Sequence, residues 1–434
     1  MRHLLISYAV LTCFAVGTAG AADVPGQYPV KLPGGKQMLR GVVDGLQVDF
    51  TYYPGQNWPS FMWSAWGDGL AVGGKYYSAI GDHRMHAFLY EYDSQTNELR
   101  MILDVQEFLR RSGGVPEGQY TPGKIHSRID PGSDGWLYFS THRGGSDYTG
   151  EPKYRFRGDW ILRHQPDNGK TETVAHAPVG KECIPVGALD PQRMMFYGGT
   201  QEYERGGLKN IFFAFDVAKR KVVYREEGTG PQRCMMLSSS TGRVYYHKQD
   251  GLPLRCFDPS TGKVRELRQS IGLRAATRET ADGYIYTVGA KPSWGLESWP
   301  DRGPHIWQFN VKTEEMRKIG WAPVGEQTYI AGLDLDPTET YIYYIPGAHG
   351  GAAREGTPVV QFNVKTRQKK IICHMSPGSQ KRFGYTPDGA YGYAISPAGD
   401  KLYVTWNGSR SGEVGSKNWD ACALTVIHMP ERLR

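Results

Sequence analysis

After residue 22 the sequence contains no apolar run long enough to cross a lipid bilayer, so no membrane span is expected. It also lacks lysine-rich runs and basic stretches interleaved with aromatic residues, so nucleic acid is not an expected partner. Helical heptads and long amphipathic stretches are scarce, whereas glycine (55 residues) and tyrosine (27 residues) are plentiful. This composition favours β structure.

The chain opens with a segment typical of export. Arg2 precedes the apolar run LLISYAVLTCFAV, and small residues from Thr18 to Ala22 follow it. A basic start, a short apolar run and small residues at its end are the three parts of a secretory signal peptide. We therefore expect residues 1–22 to be removed and residues 23–434 to form a secreted or periplasmic monomer.

Two short phrases alternate through the rest of the chain. The first places Asp or Asn after an apolar residue and before a polar strand, as in FDPSTGKVREL from Phe257 and FNVKTRQKKI from Phe362. The second is a turn between two apolar strands, as in DPGSDGWLYFS from Asp130 and SPAGDKLYVTW from Ser396. Each pair of phrases supplies two hairpins, and a four-stranded unit repeated around an axis is the blade of a β-propeller.

The number of turns predicts the number of blades. Seven turns of the second kind alternate with six of the first kind, which predicts an all-β fold over residues 23–434: a seven-bladed β-propeller with four-stranded antiparallel blades. The last blade has ALTVIHM from Ala423 as its third strand and lacks a further turn. An N-terminal strand within residues 42–52 could supply the outer strand and close the ring, which removes exposed edges.

The hairpin GKIHSRIDPGSDGWLYFSTHRGG, residues 123–145, carries two histidines. When its turn is centred on PGSDG, His126 lies opposite Ser140, and His142 lies one same-face position further out. Both map to the rim where the innermost strands of a propeller start and where loops converge on the central channel. Alternatively, each histidine caps its strand and hydrogen-bonds backbone.

Aromatic and basic residues map to the same rim. The stretch FYGGTQEYERGG places Tyr197, Tyr203 and Arg205 on or near it, unless this stretch is only a polar connection. Other blades supply further candidates: Arg233, Arg274, Arg278, Tyr329, His349, Asn407 and Arg410. A channel ringed by His, Tyr and Arg with few carboxylates suits a polyanion, and the formal net charge of +7 agrees with an anionic partner.

These residue types favour β-elimination on a uronate-containing polysaccharide over hydrolysis. The proton beside a uronate carboxylate is hard to remove because the negative carboxylate resists further charge, so Arg or protonated His must neutralise it. A Tyr or His then takes the proton, and a second group protonates the departing O4. Paired carboxylates at consistent rim positions, which a glycosidase needs, do not stand out.

After residue 22 the chain has an odd number of cysteines for an oxidising compartment: Cys183, Cys234, Cys256, Cys373 and Cys422. Cys234, His247 and Cys256 fall on adjacent predicted strands of the fourth blade and could hold a structural zinc with a fourth ligand from elsewhere. A Cys234–Cys256 disulfide and buried free thiols are the alternatives. A looser candidate for a metal site or a disulfide consists of Cys373, His374, Cys422 and His428.

With its two-hairpin blades, its His126 and His142 hairpin and its closing NWDACALTVIHMPE from Asn418, the sequence resembles the seven-bladed propeller lyases that act on ulvan, an algal polysaccharide of sulfated rhamnose and uronic acids. The resemblance implies a His and Tyr pair as base and acid, a second His and an Arg around the carboxylate, and a structural zinc. We expect no organic cofactor.

Transferred to this chain, the resemblance assigns catalysis to four residues: His126, His142, Tyr203 and Arg205. Substrate binding then falls to Arg143, Tyr197, Arg233, Arg278 and His349. Two roles stay open, because Tyr197 competes with Tyr203, and Arg143, Arg233 or Arg278 with Arg205.

Two other classes of function compete with the lyase. A non-catalytic propeller that binds glycans or a protein needs no proton acceptor at its rim. A metal-dependent hydrolase or lactonase needs a central cation held by acidic residues, and the mapped rim positions are short of carboxylates.

Overall fold

The computed structural model describes residues 38–56, 63–144, 155–202, 210–231, 233–247, 253–289 and 304–434. The predicted signal peptide and the predicted catalytic residues Tyr203 and Arg205 lie outside this described part of the chain. Within it, no helix is both long enough and apolar enough to span a bilayer.

The described strands form seven antiparallel sheets that are the blades of a propeller, as predicted. Blades one to three run from the centre outwards as β3 Leu70–Val72, β4 Lys75–Gly81, β5 Ala87–Asp93 and β6 Glu98–Asp104; β7 Lys124–Ile125 with β8 Asp130–Pro131, β9 Leu137–His142, β10 Trp160–Gln165 and β11 Lys170–His176; and β12 Glu182–Asp190, β13 Met195–Glu202, β14 Ile211–Asp216 and β15 Lys221–Glu227.

Blades four to six follow the same order: β16 Met236–Leu237, β17 Val244–His247, β18 Pro253–Asp258 and β19 Lys263–Ser270; β20 Leu273–Ala276, β21 Tyr284–Gly289, β22 His305–Asn310 and β23 Met316–Trp321; and β24 Asp334–Leu335, β25 Tyr341–Tyr344, β26 Pro358–Asn363 and β27 Lys369–His374. The seventh blade has five strands: β28 Thr386–Ile395, β29 Lys401–Ser409, β30 Ala421–His428, and then β2 Leu46–Tyr52 and β1 Leu39–Val43.

The first recurring phrase is a turn stabilised by its own Asp or Asn. The Asp258 carboxylate accepts the amide of Ser260 at 2.9 Å. Asn310 accepts the amide of Lys312 at 2.8 Å in the next blade, and Asn363 accepts that of Lys365 at 2.9 Å in the one after. Such bonds let a short polar side chain replace a backbone acceptor in a turn. The phrase recurs because each outer hairpin reverses in the same way.

The N-terminal strands close the ring. β2 pairs antiparallel with β30, with Val48 opposite Ile427, and β1 adds a second strand outside β2. The buried carboxylate of Asp49 joins this seam by accepting from Arg40 at 2.7 Å and lying 2.7 Å from Nε2 of His428. The predicted closure is therefore confirmed, with one strand more than expected.

Apolar side chains pack between neighbouring blades, and two short helices cover the outside. Helix α1, Val105–Arg111, begins where the Asp104 carboxylate accepts the amide of Glu107. Helix α2, Gly378–Phe383, packs Phe383 flat against Phe50 of β2 at 4.8 Å between ring centroids. Neither helix contributes a residue to the lining of the two channel cavities.

The two mouths of the central channel differ in the residues that line them and in the size of their cavities. The near mouth is lined by residues at or before the starts of the innermost strands, among them Trp66, His126 and Arg233. The far mouth is lined by residues at their ends and holds a larger cavity, about 420 Å³ against about 40 Å³. Asp68 and Arg128 line both cavities and mark the middle of the channel.

Candidate active site at one mouth of the central channel

His126 reaches the channel because its strand is interrupted. Lys124 pairs with His142 and Asp130 pairs with Tyr138, so residues 126–129 lie opposite only residues 139 and 140. A strand with extra residues bulges out of its sheet and redirects the side chains at the bulge. The hydroxyl of Ser127 turns back to accept the amide of Ser140 at 2.7 Å. The hairpin predicted over residues 123–145 is thus interrupted in its first strand, and this break presents His126.

The two histidines of the hairpin lie together, as predicted. Their ring centroids are 5.1 Å apart. Nδ1 of His126 donates to the Pro185 carbonyl at 2.8 Å, and Nδ1 of His142 donates to the Arg143 carbonyl at 2.6 Å. Since a carbonyl oxygen only accepts, Nδ1 carries the proton in each ring and the neutral Nε2 keeps a lone pair. Both histidines thus hydrogen-bond backbone, as the alternative interpretation predicted, and these bonds orient their Nε2 atoms.

Both histidines are neutral at neutral pH. Burial holds the pKa of His126 well below its usual range, and the positive charges of Arg233 and Lys124 lower it further. Burial, with His126 and Lys124 nearby, lowers the pKa of His142 in the same way. An anion placed among these groups would reverse the charge effect and make both rings stronger bases.

Two cations stand next to the histidine pair. Nη1 of Arg233, an exposed side chain, lies 3.1 Å from Nε2 of His126. The amino group of Lys124 sits 4.6 Å from the ring centroid of Trp66. Burial, together with the charges of Arg233 and Arg143, lowers the pKa of Lys124 to about 7. The site is therefore an electropositive recess around neutral bases, which suits an anionic ligand.

Trp66 joins the blades at this mouth. Its ring stacks on His126 at 6.1 Å and contacts Tyr391 at 4.9 Å and His349 at 5.3 Å, all between centroids. Its indole N–H donates to Nε2 of His83 at 2.7 Å, and burial lowers the pKa of His83 to about 2. Sequence analysis missed Trp66, His83 and Lys124. Position along the chain was a usable signal for Trp66. Trp66 comes just before the innermost strand of blade one, and His126 and Arg233 occupy the corresponding places in blades two and four.

His349 is at the near mouth, as predicted, and a buried carboxylate holds its loop. Nδ1 of His349 lies 2.8 Å from the Tyr391 hydroxyl, and the pKa of Tyr391 is well above its usual range because of burial and the neighbouring Tyr329. Asp388 accepts the amide of Gly351 at 2.9 Å, that of Gly415 at 2.7 Å and the indole N–H of Trp419 at 3.2 Å.

Two predicted binding residues do not reach this site. Tyr197 on β13 points between blades, is fully buried, and donates to the Gly242 carbonyl at 3.3 Å. Arg278 follows β20 and therefore lies at the far mouth, where it pairs with Glu339 at 3.0 Å. Both predictions placed a residue on the correct strand but on the wrong face or the wrong end. Arg143, which directly follows His142, stays a prediction for substrate binding.

The predicted zinc ligands do not come together. Cys234 lines the channel, whereas Cys256 lies in β18 with its sulfur 4.0 Å from Glu314, and Nε2 of His247 lies 3.4 Å from the Leu273 carbonyl. Among the described residues no three His, Cys, Asp or Glu side chains are grouped to hold a metal ion. The five described cysteines are free thiols, so neither predicted disulfide forms. The looser candidate fails too, because His374 faces Asp44 and His428 faces Asp49.

Fold and site define a seven-bladed β-propeller with a basic, histidine-containing recess at one mouth of its channel. No protein-family model and no curated protein matches the chain. Solved structures match it in fold. One is an oligogalacturonate lyase in complex with manganese, with a TM-score of 0.57 and 12% identity over 92% of this chain and 99% of the other.

Two further solved structures share the fold. The oligogalacturonate lyase from Vibrio parahaemolyticus has a TM-score of 0.54 and 10% identity, covering 92% of this chain and 98% of its own. A chain of the mitotic checkpoint complex has a TM-score of 0.51 and 9% identity, with 99% of both chains covered. Propellers with such different roles share this architecture, so the chemistry of the site must carry any functional assignment.

Proposed function

We propose that the protein is an exported polysaccharide lyase that cleaves a uronic-acid-containing, ulvan-like polysaccharide by β-elimination. One observation carries this proposal. Two neutral histidines, His126 and His142, each have an unprotonated Nε2, and their ring centroids are 5.1 Å apart. The Arg233 guanidinium lies beside them, 3.1 Å from Nε2 of His126. A base next to a fixed positive charge is what proton removal beside a carboxylate requires.

In this proposal the uronate carboxylate binds Arg233 within the near cavity. That cavity, about 40 Å³, has room for a small group such as a carboxylate but not for a sugar ring, so the ring lies in the open mouth. Nε2 of His142 takes the proton from C5, the C4–O4 bond breaks, and a C4=C5 double bond forms. Nε2 of His126 accepts from Arg233 at 3.1 Å and so positions the guanidinium that binds the carboxylate.

The departing O4 needs a proton, and a tyrosine supplies it. We assign this role to Tyr329, because it lines the near cavity and is only half-buried, whereas Tyr391 in the same lining is buried. Tyr203 and Arg205 remain predictions for the acid and the carboxylate partner, since they lie outside the described residues.

The likeness to two oligogalacturonate lyases supports a uronate substrate, and the resemblance seen in the sequence supports the ulvan type. One of these lyases is described with manganese, so the fit of a divalent metal must be tested. Within the described chain no set of three donor side chains is grouped for one, and Lys124 and Arg233 would repel a dication at His126. We therefore assign charge neutralisation to Arg233.

Export, cellular location and assembly belong to the same proposal. The N-terminal segment supports removal of residues 1–22, and the remaining residues 23–434 then act as one secreted or periplasmic propeller domain, as a monomer. An external location agrees with a polymer too large to enter a cell.

The test is ultraviolet absorbance over time on ulvan, polygalacturonate, alginate and glycosaminoglycans, because elimination creates a conjugated unsaturated uronate. We expect a rise with at least one polymer, reduced about a hundredfold or more in His126→Ala and His142→Ala. His164→Gln is the matched control: His164 is a buried histidine of the same blade, bonded to Thr171 and distant from the channel mouth.

A flat trace with every polymer from folded protein would overturn the lyase. If that protein still bound one polymer and both alanine variants bound it equally well, the propeller would be a glycan-binding module instead.

A further inference from the structure

Lys124 stands at the site with no counterion among the described residues. It is the first residue of β7, two positions before His126, and it pairs across the hairpin with His142. Its amino group lies over the Trp66 ring, at 4.6 Å from the centroid. Among the described residues no carboxylate is within ion-pair distance of it, whereas the partly buried Lys75 has Glu91 at 3.0 Å.

The neighbouring cations make this position more costly. Arg233 and Arg143 lie close enough to lower the pKa of Lys124, and they act on a side chain that burial already disfavours as an ion. Arg143 also acts on the buried carboxyl of Asp159: burial raises the pKa of Asp159 to about 7, while hydrogen bonds from Thr141 and Tyr120 and the charge of Arg143 oppose this rise. Lys124 contacts the Trp66 ring but, within the described part of the chain, no carboxylate. A partly buried charge without a partner destabilises a fold, so an anion supplied from outside would relieve it.

Lys124 and Arg233 address different places. Arg233 lines the small near cavity and contacts the edge of His126, whereas Lys124 lies outside the lining of that cavity and contacts the face of Trp66. Trp66 stacks on His126, so Lys124 approaches His126 by way of the indole ring, whereas Arg233 contacts His126 directly. A single carboxylate held by Arg233 fills the cavity and leaves Lys124 to another group.

We propose that Lys124 forms a second anion subsite, which binds a sulfate or carboxylate on the sugar next to the uronate whose proton is removed. The inference rests on the proposed lyase function and narrows its substrate to saccharides with two anionic groups close together. Lys124 is a substrate-binding residue in this account, and the proton is still taken by a histidine.

The test compares substrates that differ in one anionic group: native ulvan oligosaccharides, the same oligosaccharides after desulfation, and oligogalacturonate, in which every sugar has a carboxylate. Wild-type protein is expected to prefer the doubly anionic substrates by roughly tenfold or more in KM, since one charge-assisted bond is at stake. Lys124→Met keeps the length of the side chain without its charge and is expected to lose that preference. Lys124→Arg is expected to retain it.

Lys318→Met is the matched control, because Lys318 also lies over an indole ring, that of Trp307 at 5.4 Å, but in blade five away from the channel. An unchanged preference in Lys124→Met would overturn the subsite. So would a large fall in kcat with KM unchanged, since Lys124 would then act on the proton. The sulfated and fully carboxylated substrates tell which anion is bound.

A second measurement separates this inference from the lyase itself. Acetylation of Lys124 and Lys318 by an amine-reactive reagent is followed by mass spectrometry with and without inorganic sulfate. We expect sulfate to slow acetylation of Lys124 several-fold and to leave Lys318 unchanged. Equal effects on both lysines would refute the subsite even if the enzyme proves to be a lyase, and protection of Lys124 alone would uphold an anion site even if no polymer is cleaved.

Discussion

Two histidines are kept neutral by the contacts that aim them at the channel. His126 and His142 each use Nδ1 to bond a backbone carbonyl, which leaves Nε2 unprotonated: that of His126 faces Arg233, and that of His142 is the proposed proton acceptor. Burial and neighbouring cations oppose protonation of both rings until an anion enters. The cations Arg233 and Lys124 therefore lie close together in the site, and an anion bound there would reduce their repulsion. Functional sites commonly lower the stability of the fold in this way.

This neutrality predicts how stability depends on pH. The pKa of His126 is lowered in the folded protein, whereas the unfolded chain titrates near 6.5. Below that pH the unfolded state binds more protons, so the free energy of unfolding falls as the pH falls. His126→Gln should reduce the loss between about pH 7.5 and pH 5.5 by about 1 kcal/mol, measured by urea denaturation.

His164→Gln provides the comparison. Burial lowers the pKa of His164 to about 4, so this variant should also flatten the pH dependence, yet keep full lyase activity because His164 lies outside the site. If His126→Gln kept the full wild-type loss of stability at low pH, His126 would be protonated in the folded protein and could not accept from Arg233 as assigned.

At the scale of elements, the loops of the near mouth approach each other backbone to backbone at glycines. A Cβ on Gly81 at the end of β4 would lie 2.0 Å from the Gly123 carbonyl oxygen, and one on Gly144 would lie 2.1 Å from the His83 carbonyl oxygen. These contacts hold the loops of His83, Lys124 and Arg143 together. Larger residues have no space there because the obstructing atoms are backbone.

We therefore predict that Gly144→Ala lowers the free energy of unfolding by about 2 kcal/mol and reduces lyase activity by displacing Arg143 and His142. Gly114→Ala is the control, since its new Cβ would meet its nearest neighbour at 3.4 Å, on a loop away from the channel. Urea denaturation and the absorbance assay measure the two effects. Equal stability of both variants would mean that these loops adjust freely.

The whole molecule depends on a seam made by its two ends. β2 completes the last blade by pairing with β30, and Asp49 ties Arg40 to His428 across it. Without β1 and β2 the edge of β30 would be open, and exposed edges promote association between chains. The ring thus couples residues that are hundreds of positions apart in sequence.

A chain beginning at residue 53 is expected to melt at a markedly lower temperature than one beginning at residue 38 and to elute as larger species in size-exclusion chromatography. The longer chain retains the full seam and serves as the control. A truncated chain that stayed monomeric with an unchanged melting temperature would show that β28, β29 and β30 are sufficient for closure.

Sequence alone determined the parts of the molecule that local rules control. The repeated turns could be counted because each uses its own Asp or Asn, as at Asp258 and Asn310, and the count predicted seven blades. His126 and His142 could be paired because they share one hairpin, where register follows from the turn. The N-terminal strand could be assigned to closure because the last blade lacked an outer strand.

Tertiary structure decided the rest, because it depends on which blade faces which. Trp66, His349 and Tyr391 come from other blades and meet only when the ring closes. Tyr197 lies at a blade interface, because one step along a strand changes the face on which a side chain lies. Arg278 lies at the far mouth, because the length of an inner strand separates the two mouths. Lys124 was missed because its place at the site depends on Trp66 and Arg233, which are distant from it in the sequence.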